Sequence, residues 1–304
     1  MIRIAAFVAL LAFCLTPWCS PPIALALGLV LALTIGNPFA GKTSKPTKLL
    51  LQVSVVGLGF GMNLHKVVEA GRTGVLFTIA TIAGTLLLGA LVARAMRVNP
   101  RTAHLISSGT AICGGSAIAA VGPVIGATDE EMSVSLGTVF ILNSIALFAF
   151  PMIGAALHLS QQQFGVWSAI AIHDTSSVVG AASSYGAEAL QIATTVKLTR
   201  ALWIVPLTIG TALAFHRRTT TRVAIPWFIF LFLLASIVRT YVDGPWDVLV
   251  HIARIGLTVT LFLIGAALSR RSLAAVGVRP LILGVLLWVV ISVVSLWAVT
   301  ATLA

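Results

Sequence analysis

The sequence predicts an all-α, polytopic membrane bundle of about eleven transmembrane helices. Three observations carry this. Of 304 residues, 59% are hydrophobic and 9% charged, with mean hydropathy +1.07, whereas soluble domains carry about 25% charged residues. Apolar stretches of roughly 17 to 25 residues recur along the whole chain, the length a helix needs to cross about 30 Å of hydrocarbon. These runs are continuously apolar, not alternating as barrel strands are, so helices that satisfy their own backbone are left as the spanning structure.

The expected spans are 2–18, 21–36, 46–62, 73–93, 104–126, 132–157, 164–183, 187–215, 223–240, 248–269 and 280–303, within one domain, 1–304. The first is short enough to suggest a signal peptide. Pro17, Trp18 and Cys19 replace the small-residue cleavage pattern, however, so it is read as a retained helix.

The net charge of +11 is read by position, because basic residues of membrane proteins collect in cytoplasmic loops. With the N-terminus inside, the cytoplasmic segments hold Arg3, Lys42, Lys45, Lys48, Arg94, Arg97, Arg101, Arg217, Arg218, Arg222, Arg270, Arg271 and Arg279, thirteen of the nineteen. Lys66, Arg72, Arg239 and Arg254 fall outside, with the acidic cluster Asp129, Glu130 and Glu131. This bias places the N-terminus in the cytoplasm and the C-terminus on the external face of a bacterial inner membrane. Nucleic acid is not expected as a partner. Cys14, Cys19 and Cys113 form no Cys-x-x-Cys pair, so neither a metal site nor a disulfide framework follows, and no cofactor is implied.

Two spans are too polar and glycine-rich for good membrane helices. Residues 107–116 read SSGTAICGGS. Gly114-Gly115 weakens the helix and Ser116 can cap a new half-helix; close packing through small residues is the alternative. Residues 173–184 read HDTSSVVGAASS, where Asp174, Thr175 or Ser176 can cap a second half-helix. A charge at the bilayer centre costs about 2.5 to 3.5 kcal/mol on insertion scales, so such a residue faces a polar cavity or a partner. Two half-helix N-termini meeting near the midplane would make an anion site. The following span adds Lys197 and Arg200, three apart and so on one helix face. Snorkelling, an ion pair with Asp174 and contact with a substrate anion are the three readings of that pair. Asn143, inside another span, either bridges helices or touches substrate.

A weak echo links 49–72 (LLLQVSVVGLGFGMNLHKVVEAGR) with 253–279 (ARIGLTVTLFLIGAALSRRSLAAVGVR). The two run in opposite directions in this topology, the sign of an inverted repeat. Residues 36–43, GNPFAGKT, match the phosphate-binding G-x-x-x-x-G-K-[ST] pattern. A membrane helix precedes the match and Pro46 follows it, so the strand and helix the mechanism needs are missing. No His-Glu-x-x-His and no Gly-x-Ser-x-Gly occurs, and the chain is not read as an enzyme.

The phrases SSGTAICGGSAIAAVGPVIGA, HDTSSVVGAASSYG and ATTVKLTRALWIVP resemble the YeiH-like sulfate-exporter family of bacterial inner-membrane proteins, over about residues 20–300. That family is similar to the group of sodium/proton antiporters and bile-acid symporters. The resemblance implies two inverted repeats, crossed broken helices and elevator-like alternating access. One departure stands out: the two broken spans are two helices apart, whereas the echo is seven apart.

The expectation is a secondary transporter of a small oxyanion, with sulfate or sulfite first. Ser107, Ser108, Thr110, Gly114, Gly115, Ser116, Thr175 and Ser176 would bind through hydroxyls and N–H groups, and Lys197 and Arg200 would neutralise charge. His173 and Asp174 are the proton-coupling candidates. The expected partners are the small anion, a proton or sodium as coupling ion, the lipid bilayer and, as one option, a second copy of the chain. The alternative is a cation/proton antiporter with Asp174 as the ion carboxylate. A membrane enzyme with a His173–Asp174 base pair ranks below both.

Overall fold

The computed structural model describes residues 2–39, 43–61, 64–215, 227–267 and 277–303, with helices and no strand among them. Lys42 of the phosphate-loop match, Arg217, Arg218, Arg222, Arg270, Arg271 and part of each echo segment lie outside the described residues. Five helices are long and apolar enough to cross a membrane on their own, and shorter apolar helices accompany them. Their outer faces are studded with large apolar side chains such as Leu87, Met152, Val293 and Trp297, as a lipid-facing surface requires.

One layer is built from α1 (Ile2–Phe13), α2 (Pro21–Thr34), α3 (Ser44–Gly59), α12 (Trp227–Tyr241) and α13 (Trp246–Ala267). Here α13 packs closely on α2 and α3, and α12 on α3. Small residues permit the approach: Gly28 of α2 lies against the Phe262–Ala266 backbone, and Gly57 of α3 against Ala253. The second layer holds α4 (Leu64–Met96), α5 (Pro100–Ala111), α6 (Gly115–Ile125), α7 (Asp129–Ala156), α8 (Gln161–Ala171), α9 (Thr175–Tyr185), α10 (Ala187–Ala201), α11 (Ile204–Ala214) and α14 (Val278–Thr302). Contact between the layers runs mainly through α9 and α4.

The two interrupted segments break where the sequence suggests, but neither resumes in its original direction. Each folds back as a helical hairpin. In hairpin one, α5 and α6 lie side by side: Leu105 shares a buried cluster with Ile118, Val121 and Ile125, and Gly109 abuts Ile118. Its two ends return to the same place, since Ser135 near the start of α7 donates to the Thr102 carbonyl (3.4 Å). In hairpin two, Tyr185 at the end of α9 stacks on Phe164 near the start of α8 (3.8 Å). The Gln161 side chain meanwhile accepts from the Glu188 and Ala189 N–H groups.

This geometry corrects two expectations. Segments 104–126 and 164–183 are re-entrant and do not cross the bundle. The acidic cluster therefore does not lie opposite the basic residues: Arg101 and Glu131 form an ion pair at 4.0 Å. Thr128, Glu130 and Glu131 line one cavity with Arg97, Asn99 and Arg279. The start of α14 borders this basic end, and the Leu303 carbonyl at its far end accepts from Gln163 at the mouth of hairpin two (3.1 Å).

Hairpin one with α7, and hairpin two with α10–α11, form an inverted pair. The arms have 12 and 11 residues in the first hairpin and 11 and 11 in the second. The long helix that follows covers 28 residues in each case. Hairpin one opens toward the basic end and hairpin two away from it. The tips carry matching sequences, Ala-Ile-Cys-Gly-Gly-Ser at 111–116 and Ala-Ile-His-Asp-Thr-Ser at 171–176. An arm of 11 or 12 residues rises about 17 Å, roughly half the hydrocarbon thickness, so tips inserted from opposite ends meet in the middle.

Candidate functional site

The site is the meeting of the two tips. Hairpin one turns at Ile112–Gly114, where Gly114 has φ +60°. A Cβ at Gly114 would lie 3.1 Å from Val139 and 3.3 Å from the Asp174 Cβ, so the tips touch. Hairpin two turns at Ile172–Asp174 in extended backbone.

A helix leaves its last carbonyls and first N–H groups without partners, and each tip concentrates both kinds of orphan. The carbonyls are met by α10. Lys197 Nζ donates to the carbonyls of Ile172 (2.7 Å) and Ala169 (3.2 Å) at the end of α8. Arg200 donates through Nη2 to the Ala111 carbonyl at the end of α5, and through Nη1 to Thr81 Oγ1 of α4 (2.8 Å). Both cations are 0% exposed, and both sit where helix C-terminal partial charge favours them.

The N-termini are treated differently. At α9 the Asp174 side chain is the cap, accepting from Ser177 N–H (2.8 Å), Ser177 Oγ (2.8 Å) and Ser176 Oγ (2.5 Å). At α6 the cap position is Gly114, which has no side chain to offer. Asn143 of α7 ties in the second tip, its Oδ1 accepting from the His173 backbone N–H (3.0 Å); this is the bridging role. His173 is fully buried, and neither ring nitrogen has a partner. Asn143 Nδ2, Arg200 Nε, Thr110 Oγ1 and Ser108 Oγ are likewise buried and unpartnered.

Among the predicted residues, Gly114, Gly115, Ser116, His173, Asp174, Thr175 and Ser176 lie on the tips, and Lys197 and Arg200 brace them. Ser116 is exposed, Gly115, Asp174 and Thr175 are half-buried, and the residues around them are buried. Thr110 is in the last turn of α5. Ser107 and Ser108 lie further back; the Ser107 hydroxyl bonds its own helix at the Ala103 carbonyl (2.8 Å) and abuts Gly89 of α4. The ion pair between Asp174 and the basic residues is not formed: among the described residues the one ion pair within 4.0 Å is Arg101–Glu131. Nor do the tips present only N-termini to each other, because each also brings a helix C-terminus, and the cations face those. Thr81 escaped sequence reading, since a threonine in an apolar helix carries no signal until its partner is known. No cluster of metal-ligating residues occurs among the described residues.

Paired re-entrant hairpins braced by buried cations, inside a lipid-facing bundle, define a polytopic membrane protein with an internal polar centre. Residues 1–284 match the family described as conserved hypothetical protein 698, and the chain belongs to it. It is similar to a UPF0324 membrane protein of Bacteroides thetaiotaomicron, 56% identical over 284 residues (92% of this chain, 86% of the relative). A UPF0324 membrane protein of Porphyromonas gingivalis is 54% identical over 287 residues (92% and 87%). One of Geobacter sulfurreducens is 48% identical over 300 residues (98% and 96%). No solved structure matches.

Proposed function

We propose that this protein is a secondary transporter of a small oxyanion in the bacterial inner membrane, working by alternating access between its two layers. One observation carries the reading: Lys197 and Arg200 are fully buried at the centre of the bundle, with neutral oxygens as partners and, among the described residues, no carboxylate within ion-pair distance. Buried charges are normally paired, and an unpaired pair of cations in a membrane interior is a standing attraction for an anion. The uncapped N-terminus of α6 and the hydroxyls of Ser116 and Thr175 supply donors of the kind oxyanions need. Sulfate or sulfite is the first substrate to try, on the sequence resemblance.

The basic end, with Arg97, Arg101 and Arg279, faces the cytoplasm on this reading, which puts the N-terminus inside and the C-terminus outside. A crevice of about 410 Å³ is lined by Ile82, Leu86, His104, Trp203, Leu207 and Thr211 of α4, α5 and α11 and the turn before α11. The inverted hairpins suit a site exposed alternately to either side. His173 or Asp174 would couple a proton. A cation antiporter is disfavoured, because both Asp174 oxygens are engaged by Ser176 and Ser177 and two cations stand nearby. In liposomes the purified protein is expected to take up labelled sulfate or sulfite, and Arg200→Ala to reduce uptake to background. Wild-type uptake by that variant would remove the observation on which the proposal stands.

A further inference from the structure

We propose that the meeting point of the two hairpin tips selects a singly charged oxyanion over a doubly charged one. This rests on the anion-transport reading and adds the substrate's valence to it.

The charge inventory at the tips is short. Lys197 and Arg200 each bring one positive charge, both 0% exposed, and each bonds only to uncharged oxygens. Asp174 brings one negative charge, its two oxygens accepting only from N–H and O–H groups, as a carboxylate does. The other titratable groups are His173 on the same tip and Cys113 on the facing one, both buried. A proton on His173 would add a third cation beside two others with no acceptor at either ring nitrogen, so the ring counts as neutral, and the thiol does too. The helices around the tips contribute Asn143 and Thr81, which carry no charge. One positive unit is left unbalanced.

In a low-dielectric interior, net charge is penalised whatever its sign. A monoanion brings the tips to neutrality. A dianion only turns a net positive unit into a net negative one and gives up its own hydration to do so. A substrate such as hydrogensulfite or a sulfonate therefore fits best, and a doubly ionised anion such as sulfate is held more weakly. The asymmetry of the tips sharpens this: Asp174 already occupies the N-terminus of α9, so one helix N-terminus, that of α6, remains for one ligand charge.

Calorimetric titration of the purified full chain, near pH 6 and at fixed ionic strength, compares methanesulfonate with sulfate. Methanesulfonate is expected to bind at least about tenfold more tightly. Asp174→Asn keeps a competent helix cap but leaves two units unbalanced, so the preference should shift toward sulfate by about tenfold or more. Equal or tighter sulfate binding by the wild type overturns the proposal. So does an unchanged ratio in an Asp174→Asn variant whose thermal unfolding is cooperative. If labelled anion enters liposomes while the binding ratio is flat, only the valence assignment falls. If no anion binds or enters, the transport reading falls first and takes this one with it.

Discussion

Hairpin one and hairpin two share a scaffold and differ in their chemistry. Both have arms of 11 or 12 residues, both turn after Ala-Ile, and both have their C-terminal carbonyls held by α10, through Arg200 and Lys197 respectively. They part company at the next two residues. Cys113-Gly114 gives a tight turn with φ +60° and no cap, whereas His173-Asp174 gives an extended turn and a carboxylate that closes the following helix. A symmetric frame thus carries an asymmetric centre: one tip caps its own following helix and the other leaves it without a side-chain cap.

The comparison can be broken at the level of topology first, where the effect is all or none. With the native cysteines replaced, Glu130→Cys and Arg97→Cys should react with an impermeant thiol reagent from one face of the membrane only. Gln161→Cys should react from the other. Labelling of positions 97 and 130 from opposite faces would show that hairpin one crosses.

Next in size is the brace. Lys197→Met strands the carbonyls of Ile172 and Ala169 and should cost about 2 to 3 kcal/mol, read as a lowered unfolding temperature in detergent. The turn follows. Gly114→Ala forces an alanine into positive φ within 3.3 Å of Asp174, at about 1 to 3 kcal/mol. Gly115→Ala, in the first turn of α6, should cost well under that. Smaller still is the cap: Asp174→Ala is expected to lose about 1 kcal/mol and Asp174→Asn to recover most of it. At the bottom lies Arg101→Ala, which removes a partly exposed ion pair at 4.0 Å worth at most about 0.5 kcal/mol.

That the chain is an all-helical membrane bundle was legible in the sequence, because the hydropathy and length of its apolar runs suffice for it; the number of crossings was not. The interruptions at Gly114-Gly115 and His173-Asp174 were legible too, because glycine and capping residues act locally. The direction in which each chain resumed was not. A break can continue or reverse, and what decides it is distant: Leu105 in one buried cluster with Ile118 and Ile125, Phe164 against Tyr185. The partners of Lys197 and Arg200 were hidden for the same reason, since carbonyls leave no mark on a sequence. The repeat of Ala-Ile-x-x-x-Ser beginning at Ala111 and Ala171 is present in the sequence, but a six-residue match does not carry the direction of the helices on either side of it.

The bond between Arg200 and the Ala111 carbonyl also sets a schedule for biogenesis. Its partners are 89 residues apart, so at about 5 to 20 residues per second the ribosome makes Ala111 roughly 4 to 18 s before it makes the arginine. The second hairpin waits only 25 residues for Lys197. During that interval the first tip is an incompletely satisfied turn in transit through the insertion machinery. Nascent chains arrested before Arg200 should therefore leave Cys113 open to a thiol reagent, and chains arrested well after it should shield it.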